Sequence, residues 1–163
     1  MKNKISIIIG SKSDYKILEP GIELLKKFNI QYNITISSAH RSLKNTIKVV
    51  EKLQRLGTDV FIVCAGYSAH LPGVVAALTI KPVIGVPVGN SVLKGLDSIL
   101  SIVQMPSGIP VATIGIDSIQ NACILAIEIL ALMDNDLREK LIAYRKDFIN
   151  KIKLDNKSIQ KKN

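Results

Sequence analysis

The chain has no tryptophan, three phenylalanines and four tyrosines in 163 residues, so aromatic side chains make up 4% of it. So small a stock leaves little to stack on bases, which argues against a platform for single-stranded nucleic acid. Cysteine is almost as scarce. Cys64 and Cys123 stand 59 residues apart, each inside an apolar run, with no C-x-x-C spacing and no Cys/His cluster. That pattern excludes a disulfide scaffold and offers no zinc ligand set, so both read as buried, reduced, structural thiols. Long apolar runs are missing too. Val60 to Ala65 and Ala122 to Met133 fall short of the ~20 residues a bilayer span requires, and Glu128 interrupts the second. The apolar run Ile5 to Ile9 is shorter than the ~7 to 15 residues of a signal peptide and is followed by no small-residue cleavage site. We read it as the first strand of a cytoplasmic protein with no membrane partner. No linker rich in Pro, Gly or Ser and no low-complexity block divides the chain.

What is present suits one folded domain. Hydrophobic residues make up 47% and charged residues 21%, enough apolar surface at this length to offset the entropy of folding around a single core. Net charge is +9, but it is unevenly spread: +7 over residues 1–57, −4 over 58–137 and +6 over 138–163. The basic residues are 18 Lys against 4 Arg, in a chain with 26 Ile and 10 Asn. This is a bias of the whole composition rather than a recognition surface, and we expect no nucleic-acid partner.

Short β-branched runs begin near Ile5, Gln31, Val60, Val83 and Val111, at steps of 26, 29, 23 and 28 residues, each followed by a segment of helical character. That is the spacing of a repeated strand-helix unit. Ile5 to Ile9 and Val60 to Ala65 are continuously apolar rather than alternating, so these strands should be covered on both faces, as in a parallel sheet between helical layers. Leu43, Ile47, Val50, Leu53 and Leu56 repeat at helical spacing after a possible cap at Ser42, and Gly57 stands where a left-handed stop belongs. Pro20-Gly21 predicts a first helix that starts late or bends near Glu19. A helix opening at Ser118 and running to about Met133 has Gln120, Asn121 and Glu128 as its clearly polar members. A helix apolar nearly all round must be buried on nearly all sides, which points to a partner subunit or, alternatively, to a central helix covered by the rest of the chain. Leu137, Leu141, Tyr144, Phe148 and Ile152 then form the stripe of a last amphipathic helix. The domain is placed at residues 1–154, that helix included, with 155–163 a polar, frayed tail.

In open α/β sheets ligands bind beyond the carboxyl ends of the strands, and the polar residues of this chain concentrate there. Gly10-Ser11-Lys12-Ser13-Asp14 follows the first strand and leads into a helix. Small residues and hydroxyls at a helix start present free N–H groups to an anion, although Ser13 or Asp14 could equally serve as a plain cap. Ser37-Ser38-Ala39-His40-Arg41 follows the second strand, where an imidazole and a guanidinium can bind a phosphate and move a proton in one place. Ala65-Gly66-Tyr67-Ser68-Ala69-His70-Leu71-Pro72-Gly73 follows the third. Its glycines permit close backbone approach, Pro72 suits a first helical turn, and His70 is either a second proton-transfer group, a substrate contact or a structural residue. The small and apolar residues from Pro87 to Pro110 look suited to closing a pocket or to forming a buried connector.

Taken together, Gly10-Ser11-Lys12-Ser13-Asp14, Ser38-Ala39-His40-Arg41, Ala69-His70-Leu71-Pro72-Gly73, Pro82-Val83-Ile84-Gly85-Val86-Pro87 and the run Gly95 to Pro106 resemble the class I N5-carboxyaminoimidazole ribonucleotide mutases of purine biosynthesis, in order and in spacing, over about residues 5 to 133. The resemblance implies a three-layer α/β/α, flavodoxin-like parallel sheet of about five strands with a C-terminal helical extension. It implies a homo-oligomer, an octamer, that shifts a carboxylate on an aminoimidazole ribonucleotide without ATP, metal or organic cofactor. It also implies that His40 is catalytic and that Ser11, Asp14, Ser38, Arg41 and His70 bind substrate, with Gly10, Ser13, Ala65, Gly66, Ala69 and Leu71 lining the pocket. The chain departs from the pattern at Tyr67 and Ser68, where small residues are expected, and at Tyr15, where Trp is. A positive φ at residue 67 would strain a tyrosine. Two alternatives stand beside the mutase: a direct 5-aminoimidazole ribonucleotide carboxylase using CO2, and a non-catalytic nucleotide-binding, flavodoxin-like module.

Overall fold

The computed structural model describes residues 4–160, which divide into two units, 4–126 and 127–160. In the first unit β1 (Lys4–Ile9), β2 (Gln31–Ile36), β3 (Val60–Gly66), β4 (Val83–Val88) and the two-residue β5 (Ala112–Thr113) form one parallel sheet in the order β2-β1-β3-β4-β5. Each strand begins within a residue of its expected start. The exception in character is β5, which pairs only Ala112 and Thr113 with β4, after a connector that turns at Ser107-Gly108.

Register sorts the side chains by face, because successive residues of a strand point to opposite sides. Ile8 pairs with Val63 and Val63 with Gly85, and Phe61 pairs with Val83. Ile8, Phe61, Val63 and Val83 pack with Val50 and Leu53 of α2 (Leu43–Arg55), Val75 of α3 (Leu71–Ala77) and Ile102 of α4 (Leu96–Val103). On the other face Ile7, Ile9, Ile62, Cys64 and Ile84 are fully buried. There α1 (Glu19–Lys27) meets α5 (Ile119–Ala131) so closely that a Cβ on Gly21 would stand 2.7 Å from Cγ1 of Ile119 and 3.0 Å from Sγ of Cys123. Gly21 therefore serves packing between two helices, a role its place beside Pro20 in the sequence did not suggest. Both cysteines are buried and unpaired, and burial pushes both thiols well above their ordinary range.

Local signals explain the helix ends. Residues Lys12–Leu18 form a 3-10 helix that hands over to α1 at Glu19, with Pro20 in the first turn, matching the late start. Asn29 (φ 57) and Gly57 (φ 84) close α1 and α2 in left-handed conformation. Ile30 N–H donates to Leu25 O, and Thr58 N–H to Leu53 O, across those two stops. Ser42 is the residue before α2, but its side chain makes no cap: its carbonyl accepts from the Thr46 N–H and hydroxyl instead. Ser118 likewise turns its hydroxyl to Ile116 O rather than into α5.

The second unit holds the end of α5 and the long α6 (Asn135–Gln160). Asp134 accepts from Leu137 N–H at 3.0 Å, and Arg145 pairs with Glu128. Along the expected stripe Leu137 and Leu141 are buried, Tyr144 meets Phe148 edge-on at 4.8 Å, and Phe148 and Ile152 are exposed. Among the described residues no helix is long and apolar enough to cross a membrane.

Candidate active site

The chain leaves β1 toward β2 on one side and returns to β3 on the other, so a crevice opens between the carboxyl ends of β1 and β3, where ligands of such sheets bind. Here it is a cavity of about 380 Å³. Every site residue that the resemblance implied lines it: Gly10, Ser11, Ser13 and Asp14 after β1, Ser38, His40 and Arg41 after β2, and Ala65, Gly66, Ala69, His70 and Leu71 at and after β3. Ala39, Tyr67, Ser68 and Asn90 join them. The first three of these sit inside motifs already noticed. Asn90 is the residue that sequence reasoning missed, and from the loop after β4 it alone reaches the crevice. The rest of residues 87–110 does not line this cavity.

The β1 loop is built around a buried carboxylate. Ser11 is the residue before the 3-10 helix, and its hydroxyl accepts from Ser13 N–H at 3.3 Å. Asp14 reaches back to accept from Ser11 N–H at 3.0 Å, completing a reciprocal cap. The cap is thus Ser11 with Asp14 as its partner, rather than Ser13 or Asp14 alone. Asp14 Oδ1 lies 3.2 Å from the Ser13 hydroxyl and accepts from Asn90 Nδ2 at 3.0 Å. With only 4% of its surface exposed, Asp14 is costly to ionise: burial raises its pKa above 3.8, against the lowering pull of its hydrogen bonds from Ser13 and Ser11.

The β2 loop is a single turn pinned from beneath. Ser37 is buried and its hydroxyl meets that of Thr46 at 2.9 Å, while Ser42 N–H donates to Ser38 O at 2.9 Å. His40 and Arg41 ride exposed at its crown. The β3 loop is tighter still. Tyr67 sits at φ 55, Ala69 N–H donates to Tyr67 O at 2.9 Å, and His70 N–H to Ser68 O at 2.6 Å. Tyrosine therefore occupies the left-handed conformation that the sequence flagged as straining, the residue 61% exposed at the crevice rim. His70 precedes α3, with Pro72 in the first turn as expected.

These two loops bring the two histidines of the chain together. His40 Nε2 lies 2.6 Å from His70 Nδ1, ring planes at 90° and centroids 4.8 Å apart. One proton lies between the two nitrogens, and the tautomer decides which ring donates. A proton-carrying imidazole pair, an arginine, hydroxyls and a buried carboxylate share one crevice. The set can anchor an anionic, hydroxyl-bearing small molecule and move a proton on it.

Residues 4–151 match the AIR carboxylase family. The chain is similar to the N5-carboxyaminoimidazole ribonucleotide mutase of Methanocaldococcus jannaschii, 49% identical over 96% of this chain and 97% of that protein. It is 43% identical to the protein of the same name from Haemophilus influenzae, over 94% of each chain. The solved structure of Treponema denticola PurE superposes with a TM-score of 0.89 at 30% identity, covering 96% of this chain and 98% of that one.

Proposed function

The chain belongs to the AIR carboxylase family, and from that membership we infer that it is an N5-carboxyaminoimidazole ribonucleotide mutase of purine biosynthesis, an isomerase that moves a carboxylate from N5 to C4 of the aminoimidazole ring. The observation that carries the chemistry to the crevice is the His40–His70 contact at 2.6 Å, beside Arg41 and Asp14.

In our reading the N5–carboxylate bond breaks, its electron pair stays on nitrogen, and His40 as general acid supplies the proton that nitrogen needs. C4 of the ring then attacks the released CO2, and His40, now the base, takes the C4 proton. Protons balance over the cycle, and no metal or organic cofactor takes part. His70, hydrogen-bonded to His40, keeps the imidazole oriented and its proton placed. Arg41, Ser11 and Ser38 hold the phosphate, and Asp14 accepts from a ribose hydroxyl. Ala65, Gly66, Ala69 and Leu71 give the released CO2 an apolar wall on the β3 side.

We place the enzyme in the cytoplasm as a homo-octamer, without nucleic-acid or membrane partners, on the strength of the family resemblance. Assembly is supported by the apolar surface of exposed Val92, Leu93, Leu96, Leu100 and Val103 on and before α4, which a monomer would leave to water.

The test is a carbon-13 NMR assay on purified protein in EDTA without ATP. Substrate labelled in its carboxylate is supplied with excess unlabelled bicarbonate, alongside His40→Asn. Label retained at C4, with turnover in the variant down by at least a hundredfold, is the expected result. Product carrying mainly unlabelled carbon would make the enzyme a direct carboxylase. Absence of product from the wild type would sink the enzymatic reading altogether.

A further inference from the structure

Asn90 enters the crevice from the loop after β4 and does something no other described residue does there. Its Nδ2 donates to Asp14 Oδ1 at 3.0 Å, so it ties the loop after β4 to the loop after β1 across the end of β3. The tie passes directly over Gly66. A Cβ built at residue 66 would stand 2.3 Å from Asn90 Oδ1 and 3.4 Å from its Nδ2. The Asn90 amide therefore fills the volume that any side chain at 66 would take, and the glycine is what admits it. The other hydrogen bonds to Asp14 come from Ser11 and Ser13, residues of its own turn, which move with it. Among its described partners Asn90 is the one anchored on a different element.

We propose that Asn90 is a positioning residue: it fixes the Asp14 carboxylate in the orientation that receives a ribose hydroxyl, and Gly66 is the clearance through which it does so. This rests on the reading of Asp14 as a ribose ligand. A buried carboxylate held only by its own turn can rotate about its last side-chain bond. One anchored from a second loop cannot, and a pre-oriented acceptor binds its hydroxyl at less entropic cost. The proposal concerns binding, since Asn90 reaches the reaction only through Asp14. The charged and titratable groups around Asp14 are Arg41, His40 and His70, which line the same cavity from the loops after β2 and β3, and Cys64 of β3, whose burial keeps it a neutral thiol.

The test pairs Asn90→Ala with Gly66→Ala, which pushes the amide aside without touching it. Two quantities are read: the titration of the Asp14 carboxyl carbon by NMR in the free enzyme, and KM against kcat. Removing a donor from the ionised form raises a carboxyl pKa, so Asp14 should titrate at higher pH in both variants. In Asn90→Ala KM should rise about tenfold with kcat within about twofold, the loss of roughly one hydrogen bond. Gly66→Ala added to Asn90→Ala should move the Asp14 titration little further, because the amide it displaces is already gone. Asn90→Asp, which keeps the shape but sets a second acceptor against Asp14, should raise KM further. Unchanged Asp14 titration and KM in a folded Asn90→Ala enzyme would overturn the proposal, as would additive shifts of the Asp14 titration in the double variant. A wild type without mutase turnover would fail the functional reading instead, and the Asp14 titration would still decide whether Asn90 holds the carboxylate.

Discussion

Tyr67 offers a prediction that separates backbone from side chain. Its φ of 55 lies in the left-handed region, which costs an L-residue roughly 1–2 kcal/mol and glycine almost nothing. Glycine brings its own penalty of about 0.4–1 kcal/mol through a freer unfolded chain. The residue is 61% exposed, so its side chain contributes only partial burial, which any truncation removes. Comparing Tyr67→Gly with Tyr67→Ala cancels that burial, because both lack the ring. The backbone difference then favours glycine by about 0.5–1 kcal/mol, reversing the usual order in which alanine is the more stabilising residue. For a chain of this size 1 kcal/mol moves Tm by about 2–4 °C, so the glycine variant should melt about 1–4 °C above the alanine variant. Calorimetry at one fixed protein concentration is the assay, since the proposed assembly would make Tm concentration-dependent. Asn29, at φ 57, is the control: asparagine tolerates this conformation, so Asn29→Gly should gain less over wild type than Tyr67→Gly gains over Tyr67→Ala. An alanine variant at 67 as stable as the glycine variant would refute the reasoning, because the loop would then carry no backbone strain for glycine to relieve.

Asp14 has its folded pKa raised by burial, so between pH 3.8 and that raised value the folded chain holds a proton that the unfolded chain has released. Its contribution to stability is full below 3.8 and is lost as pH climbs through the folded pKa. Urea unfolding between pH 3.5 and about 7 should show that decline in the wild type and a flatter profile in Asp14→Asn, while the variant binds substrate poorly; parallel profiles would show that Asp14 does not titrate abnormally. Gly85 in β4 is a packing test: a Cβ there would stand 2.5 Å from Cγ2 of Ile102 and 2.9 Å from Cγ1 of Val111. Gly85→Ala should therefore cost about 1–3 kcal/mol by overpacking, read from the urea midpoint, and a neutral substitution would mean that α4 and the connector before β5 yield easily.

The strand-helix repeat was legible because it is a local property: continuous β-branched runs announce strands buried on both faces, and the intervals between them leave room for a helix. The left-handed stop at Gly57 and the late start of α1 at Pro20 follow from conformational limits on single residues. Caps were harder to read. Ser11, Ser13, Ser42 and Ser118 look alike in sequence, yet only Ser11 lends its hydroxyl to a cap, because the turn around it also supplies Asp14. The residues of the crevice could be gathered from the ends of the first three strands, since a parallel sheet sends all those ends to one side.

Strand order, and with it the crevice between β1 and β3, arises from pairings between residues 22 to 55 positions apart, such as Phe61 with Val83 and Ile5 with Val60. The sequence by itself determined the elements, their polarity and the chemical inventory of their ends, because these depend on neighbours along the chain. Only the tertiary structure decided that two histidines 30 residues apart share a 2.6 Å contact, and that Asn90 crosses Gly66 to hold an aspartate 76 residues away. Such contacts are set by packing across the sheet, where the missing side chain of one glycine can matter as much as the side chains that meet above it.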